Sequence, residues 1–182
     1  MTSIVCRHYR ERKLRPEWIV IHYPAMPGME AKDVQRYFLR TSRPVSTNYI
    51  IDQIETIELL DCSKVAFHCG SSDTSLCGAY NGNSIGIDLC DSKLNMSSRK
   101  VEDHDWFIPE NTCLRATKFI AELMRKFNIP LSHVIRHFDV TGKWCPRPFV
   151  GNDRNEFYGI SGNEKWKWFK GLIEKELRNE GK

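Results

Sequence analysis

The sequence predicts an α/β or α+β domain in which a sheet is covered by helices on both faces. Three observations lead there. Short β-rich runs recur along the chain, helical periodicities are interleaved with them, and 182 residues suit one domain with little room for two. Trp18 to His22 holds the longest apolar run, Trp-Ile-Val-Ile, which reads as a buried strand. A membrane helix needs roughly 18–20 apolar residues, and with a mean hydropathy of −0.48 nothing approaches that length. Ala31 to Arg40 places Val34, Tyr37 and Phe38 at i, i+3 and i+4, one apolar face of a short helix. Further strands are expected at Ser46–Asp52, Glu55–Leu60, Lys64–His68 and Ser84–Cys90. Glu110 to Phe127 is the clearest helix, with Ala116, Phe119, Ile120, Leu123, Met124 and Phe127 in register. Pro109 suits its first turn and Pro130 follows its end. A short strand, Val134–Arg136, then delivers His137. The last helix, at about 162–178, opens on Ser161-Gly-Asn-Glu164, a capping box, and sets Trp166, Phe169, Ile173 and Leu177 on one side. Gly70–Asn83 and Asp91–Asp105 are polar with little periodicity and are expected as surface loops, the usual carriers of ligand contacts.

Composition narrows the function. The net charge is +4, from 27 basic and 23 acidic residues, too small an excess to announce a nucleic-acid binder. Its densest stretch, Arg7 to Arg15, reads as a solvated basic terminus or as an attraction to an anionic polymer such as a cell wall. Met1 to Arg10 has no apolar core, so no secretory signal is expected, and synthesis in the cytoplasm is. Seven cysteines with no CxxC pair argue for a reducing compartment and for thiols acting mostly as small buried hydrophobes.

Three residues stand out by position. His22 ends the strand Ile19-Val20-Ile21, His137 ends Val134-Ile135-Arg136, and Cys145 follows eight residues later. Imidazole nitrogens and a thiolate are the donors that zinc prefers, and three protein ligands leave a fourth position open. Singly, each has a plainer reading: a strand-end histidine is commonly a hydrogen-bonded rim residue, and Cys145 another buried thiol.

The surrounding segments change that balance. Ile19-Val20-Ile21-His22-Tyr23, Asn83-Ser84-Ile85-Gly86-Ile87-Asp88, and His137 with Lys143-Trp144-Cys145-Pro146 resemble the zinc-dependent N-acetylmuramoyl-L-alanine amidases. That family includes phage endolysins, bacterial autolysins and the related peptidoglycan recognition proteins. The likeness runs in order from about residue 17 to 150, and His-x5-Lys-x-Cys-Pro is its most specific element.

The resemblance implies a single catalytic domain over 1–182, built on a central mixed β-sheet with helices on both faces. It implies one zinc ion per chain, held by His22, His137 and Cys145, where some members use Asp in the third position. It implies that Lys143 stabilises the oxyanion formed from the scissile carbonyl. Asp88 stands where many relatives carry the Glu that activates the attacking water, one methylene longer. His68 matches a segment bordering the cleft, where it contacts substrate, helps protonate the leaving amine, or serves structure alone. Thr47 stands where some relatives have a catalytic tyrosine, Asn48 where His is common, and Thr47 and Asn83 join His68 as candidate substrate contacts. Tyr49 is expected to pack in the sheet and Trp166 and Trp168 to dock the last helix. His8, His104 and His133 match no motif and are expected at the surface.

The function implied is hydrolysis of the bond between N-acetylmuramic acid and the L-alanine of the stem peptide. Peptidoglycan is the partner, with no nucleic acid and no membrane, and the chain is expected as a monomer. No wall-binding module is seen after residue 178. Made in the cytoplasm, of the host if phage-encoded, such a protein reaches the wall after release. Two other classes remain: a non-catalytic peptidoglycan binder of the same fold, and a cysteine peptidase using Cys145.

Overall fold

The computed structural model describes residues 6–179. The expectation of no secretory signal rests partly on Met1 to Val5, which lie outside the described residues. In chain order the elements are β1 (Tyr9–Glu11), β2 (Trp18–His22), α1 (Ala31–Arg40), β3 (Tyr49–Ile51), β4 (Thr56–Glu58), β5 (Lys64–Ala66), β6 (Ser84–Leu89), β7 (Ser92–Lys93), β8 (Trp106–Phe107), α2 (Glu110–Phe127), β9 (Val134–Arg136), α3 (His137–Thr141) and α4 (Gly162–Asn179).

The central sheet has the order β4-β3-β6-β2-β9, parallel throughout except for the antiparallel edge strand β4. Parallel strands are buried on both faces, which is why β2 and β6 read as nearly continuous apolar runs. On one face Ile19, Ile21, Ile85, Ile87 and Leu89 meet Ala116, Ile120 and Leu123 of α2 and Phe169 and Ile173 of α4. On the other, Ile50 and Cys90 pack under Ala31, Val34 and Phe38 of α1, and Val20 packs with Val140 of α3. The helices α1 and α2 and the strand β9 have the bounds expected from periodicity. At the head of α4 the box closes both ways: Ser161 N donates to Glu164 Oε2 at 2.8 Å, and Glu164 N donates to Ser161 Oγ at 3.2 Å.

Several expectations need correction. The expected strand Ser46–Asp52 pairs only over Tyr49–Ile51, because Asn48 is drawn into another job. Its amide donates to Leu60 O at 3.2 Å and Lys64 O at 3.3 Å, while its oxygen accepts from Gly86 N at 3.1 Å. It therefore stitches the 60–64 loop to β6. The basic N-terminal stretch is not simply solvated: β1 pairs with β5, and Arg12 donates to the four carbonyls of Cys62, Gly82, Lys64 and Ser84. His8, His104 and His133 are half-buried rather than exposed. His8 bonds Thr41 O, His104 meets the Arg147 guanidinium, and His133 stacks on Trp18 with ring centroids 3.7 Å apart. The Asp91–Asp105 segment is a surface loop only in part. It folds back as the pair β7–β8 around a fully buried Lys93 ammonium, which lies 2.5 Å from Asp103 Oδ2, 2.8 Å from Asp105 Oδ1 and 4.6 Å from the Trp106 ring.

That arrangement generates a stability prediction. Lys93→Met keeps the length and packing but strands the buried Asp105 carboxylate. The substitution should cost about 3–5 kcal/mol in denaturant unfolding, the usual loss when one partner of a buried pair is removed. A cost below about 1 kcal/mol would mean that the ion pair is not what holds this loop.

Candidate metal centre

The register of the sheet assembles the site. β2 and β6 run parallel with His22 opposite Asp88, and β2 and β9 run parallel with Ile21 opposite Arg136, so His137 follows beside His22. All three side chains emerge at the carboxyl edge of the sheet, where α/β folds usually carry their sites. Cys145 arrives from the loop after α3. Cys145 O accepts from Phe138 N at 2.8 Å, which folds the loop back over the histidines. His22, Asp88, His137 and Cys145 are all buried, and Tyr23 and Trp106 pack against the cysteine.

The metal-ligating atoms of His22, His137 and Cys145 lie within 4.8 Å of one another, the only such grouping among the described residues. Cys145 Sγ is 3.7 Å from His22 Nδ1, and His137 Nδ1 is buried with no hydrogen-bond partner among the described residues. Burial holds His22 well below the ordinary imidazole range, reinforced by its histidine neighbours and Lys143, and puts His137 at about 4. Two neutral imidazoles beside a thiol, one nitrogen orphaned, form a donor set that a zinc-type dication completes. A nucleophilic cysteine needs surroundings that favour the thiolate. Here burial pushes the Cys145 thiol up to about 12, and the adjacent His22 is too weak a base to take its proton.

His68 lies beneath His22 and fixes its tautomer. Ser84 Oγ donates its single proton to Tyr80 O at 2.5 Å, so toward His68 Nε2, 3.2 Å away, it can only accept. Burial keeps His68 neutral near neutral pH, its pKa lowered to about 3. His68 Nδ1 is then an acceptor, and His22 Nε2 donates to it across 2.9 Å. That leaves the His22 Nδ1 lone pair facing Cys145. His68 thus has both ring nitrogens engaged internally. Sequence reasoning passed over Gly86 in this arrangement, although a glycine inside a strand signals close approach. A Cβ there would sit 2.7 Å from the His68 ring.

Burial drives the Asp88 carboxyl up to about 7, against the opposing pull of the Thr47 hydroxyl and the Lys143 ammonium. Thr47 is fully buried, and Asn83 bonds Tyr80 N and Gly78 O. Asn83 precedes β6 beside Glu17, at the sheet edge opposite His22 and Asp88, so the structure does not bring it to the candidate site. Lys143 is exposed at the rim, where its charge acts on His22, Asp88, His137 and Cys145.

The directional chain is testable without a metal. In metal-free protein, ¹⁵N spectra should show His22 and His68 both neutral and protonated on Nε2 at pH 7. Gly86→Ala should disturb both tautomers and cost roughly 1–3 kcal/mol from overpacking against the ring. An Nδ1-protonated His22 in the unaltered protein would contradict the chain.

Comparison with known proteins follows the same lines. The sequence profile of the N-acetylmuramoyl-L-alanine amidase family matches residues 12–148. A probable N-acetylmuramoyl-L-alanine amidase of Bacillus licheniformis is 29% identical over 142 residues, covering 72% of this chain and 36% of that protein. The amidase BlyA of Bacillus subtilis (strain 168) is 29% identical over 148 residues, covering 74% of this chain and 37% of the relative. The chain thus spans little more than a third of these relatives' length. Among solved structures, the catalytic domain of XlyA superimposes with a TM-score of 0.63 at 24% identity, covering 90% of this chain and 91% of that one. The PlyG catalytic domain gives 0.67 at 20%, covering 93% and 86%. At these identities the structural likeness speaks to the fold: a central mixed sheet with helices on both faces.

Proposed function

The chain belongs to the N-acetylmuramoyl-L-alanine amidase family, and on that premise we propose that it hydrolyses the amide between N-acetylmuramic acid and L-alanine in peptidoglycan, as an endolysin- or autolysin-type catalytic unit. The observation that carries this reading is the buried His22–His137–Cys145 cluster with Asp88 registered beside His22 on the neighbouring strand. One zinc ion per chain fits that cluster, and when bound it supplies Lewis-acid polarisation of a carbonyl and a lowered pKa for water.

The protein's own groups do the rest. Asp88 accepts the proton of the attacking water as the water oxygen bonds to the scissile carbonyl carbon. Burial makes this carboxylate more basic than an exposed one, which favours proton uptake. The negative charge that develops on the carbonyl oxygen faces the Lys143 ammonium at the rim. When the C–N bond breaks, Asp88 returns the proton to the alanine nitrogen, which leaves as an amine. His68, hydrogen-bonded on both nitrogens, holds His22 in its Nε2-protonated form rather than touching substrate. Among the described residues no helix is long and apolar enough to cross a membrane. The proposed site of action is the cell wall.

The test combines metal analysis with mass spectrometry of digested cell walls. The purified protein should hold about one zinc per chain, and new free L-alanine amino groups should appear with the muramic acid left intact. Cys145→Ala should lose both metal and activity. Cys145→Asp should keep measurable zinc, since zinc accepts a carboxylate. Full activity in metal-free protein would end the zinc reading, and a zinc-loaded protein that binds wall without releasing amines would make it a binder.

Asp88→Asn separates base from scaffold. Zinc content should persist while turnover falls by roughly 10²–10⁴, the usual contribution of general-base catalysis. Near-normal turnover would send the search for a base elsewhere.

A further inference from the structure

Trp144 stands between Lys143 and Cys145, and the proposed reaction gives it no part. Cys145 N donates to Lys143 O at 2.6 Å, which closes a three-residue turn with Trp144 at its tip. The Trp144 side chain is 42% exposed, although Cys145 and Arg147 just beyond it are buried. One face of the indole is taken, because the Arg147 guanidinium carbon lies 4.8 Å from its ring centroid. That guanidinium is itself fixed. Its Nε donates to Val101 O at 2.6 Å, its Nη1 to Val150 O at 2.8 Å, and its Nη2 to Glu102 O at 3.3 Å and His104 Nδ1 at 3.1 Å. Arg147 therefore has its hydrogen-bond partners without the indole, and the indole gains a rigid backing from Arg147. The result is an aromatic plate held from behind at the rim of the site, its exposure confined to the face turned away from Arg147. A large apolar ring kept in water gives up hydrophobic stabilisation that burial would supply, and a ligand with an apolar face recovers it.

The two sides of the His22–His137–Cys145 cluster say which part of a substrate meets this plate. In the sheet β2 lies between β6 and β9, so Asp88 stands on one side of His22. The loop that carries Lys143, Trp144 and Cys145 follows β9 and α3 on the other. On the amidase reading Asp88 hands its proton to the alanine nitrogen, and Lys143 faces the carbonyl oxygen. The stem peptide then runs off on the Asp88 side. The lactyl group that bears the carbonyl, and the sugar joined to it, lie toward Lys143 and Trp144. Charge agrees with a sugar. Arg147 already sets a positive charge behind the ring, so a second cation on the open face is repelled, whereas a neutral face is not. A pyranose is neutral, and its C–H bonds pack flat on an indole while the hydroxyls at its edge stay in water. Resting on the amidase reading, we propose that Trp144 is a stacking platform for the pyranose ring of N-acetylmuramic acid, and that it makes the site favour sugar-bearing over sugar-free ligands. Arg147 is its positioning residue, acting through the indole.

The experiment reads binding rather than turnover, with N-acetylmuramic acid and D-lactate as probes. Both carry the lactyl carboxylate, and only the first carries the pyranose. Titrated into ¹⁵N-labelled protein, N-acetylmuramic acid should shift the Trp144 indole N–H resonance, assigned by its loss in Trp144→Phe, more than any other indole resonance. It should bind about fivefold more tightly than D-lactate, the usual worth of one stacked ring. Trp144→Leu keeps an apolar side chain but no flat face, and should bring the ratio of the two affinities below about twofold. Trp144→Phe keeps a smaller flat face and should retain part of the ratio. Equal affinity for the two probes in the unaltered protein overturns the proposal. So does a ratio that survives Trp144→Leu, the outcome expected if the indole serves structure alone. Cell-wall digests with the same protein test the premise separately. Sugar binding at Trp144 without release of amino groups from the wall sinks the amidase reading and leaves the platform standing. Release of amino groups without preference for the sugar does the reverse.

Discussion

The parallel register of β6, β2 and β9 is the constraint from which the rest of the site follows. Hydrogen bonding between these strands sets His22 opposite Asp88 and brings His137 alongside. A slip of β2 by one residue would turn His22 to the other face and break both relationships, with Asp88 and with His137, at once. The apolar residues that alternate with them prevent the slip. Ile19, Ile21, Ile85, Ile87 and Leu89 are each fully buried against α2 and α4. The same burial that stabilises the core therefore holds the chemistry in place.

Desolvation then decides the state of each group at that edge. It keeps His22, His68 and His137 neutral, raises Asp88 and holds Cys145 as a thiol. A site of neutral donors has little electrostatic penalty to bear on its own, and it gains most from a dication that converts the thiol to a thiolate. Hydrogen bonding refines the result. The Tyr80 carbonyl takes the Ser84 proton, Ser84 accepts from His68, and His68 accepts from His22, so one backbone oxygen ultimately orients an imidazole of the His22–His137–Cys145 cluster. Gly86 is the space this chain requires.

The loops divide into anchored and lining parts. Lys93, paired with Asp103 and Asp105 over the Trp106 ring, ties the 91–105 segment to the body of the protein. Trp106 also packs on Tyr23 and Cys145, so this anchor reaches the His22–His137–Cys145 cluster through apolar contact. Asp91, at the start of the same segment, lines a cavity with Glu30, Asp52 and Glu110 instead. One polar stretch thus contributes both a buried ion pair and a cavity wall.

Much of this was legible in the sequence. Periodicity gave α1, α2 and β9 their bounds, because local patterns of apolar and polar residues depend only on neighbours along the chain, whereas His22, His137 and Cys145 stood out by position but were joined into one cluster by the family resemblance of their flanking segments. Asn48 was seen to depart from a pattern, but not that it stitches the 60–64 loop to β6. Arg12 read as solvated charge, yet it binds four carbonyls from segments 50 to 72 residues away. Lys93 and Asp91 read as loop surface. The sequence by itself determined which segments become helix and strand and which donors stand at strand ends. Only the tertiary structure decided which polar groups are buried, which partners satisfy them and which are left open, because desolvation and hydrogen bonding between distant segments exist only once the chain has closed on itself.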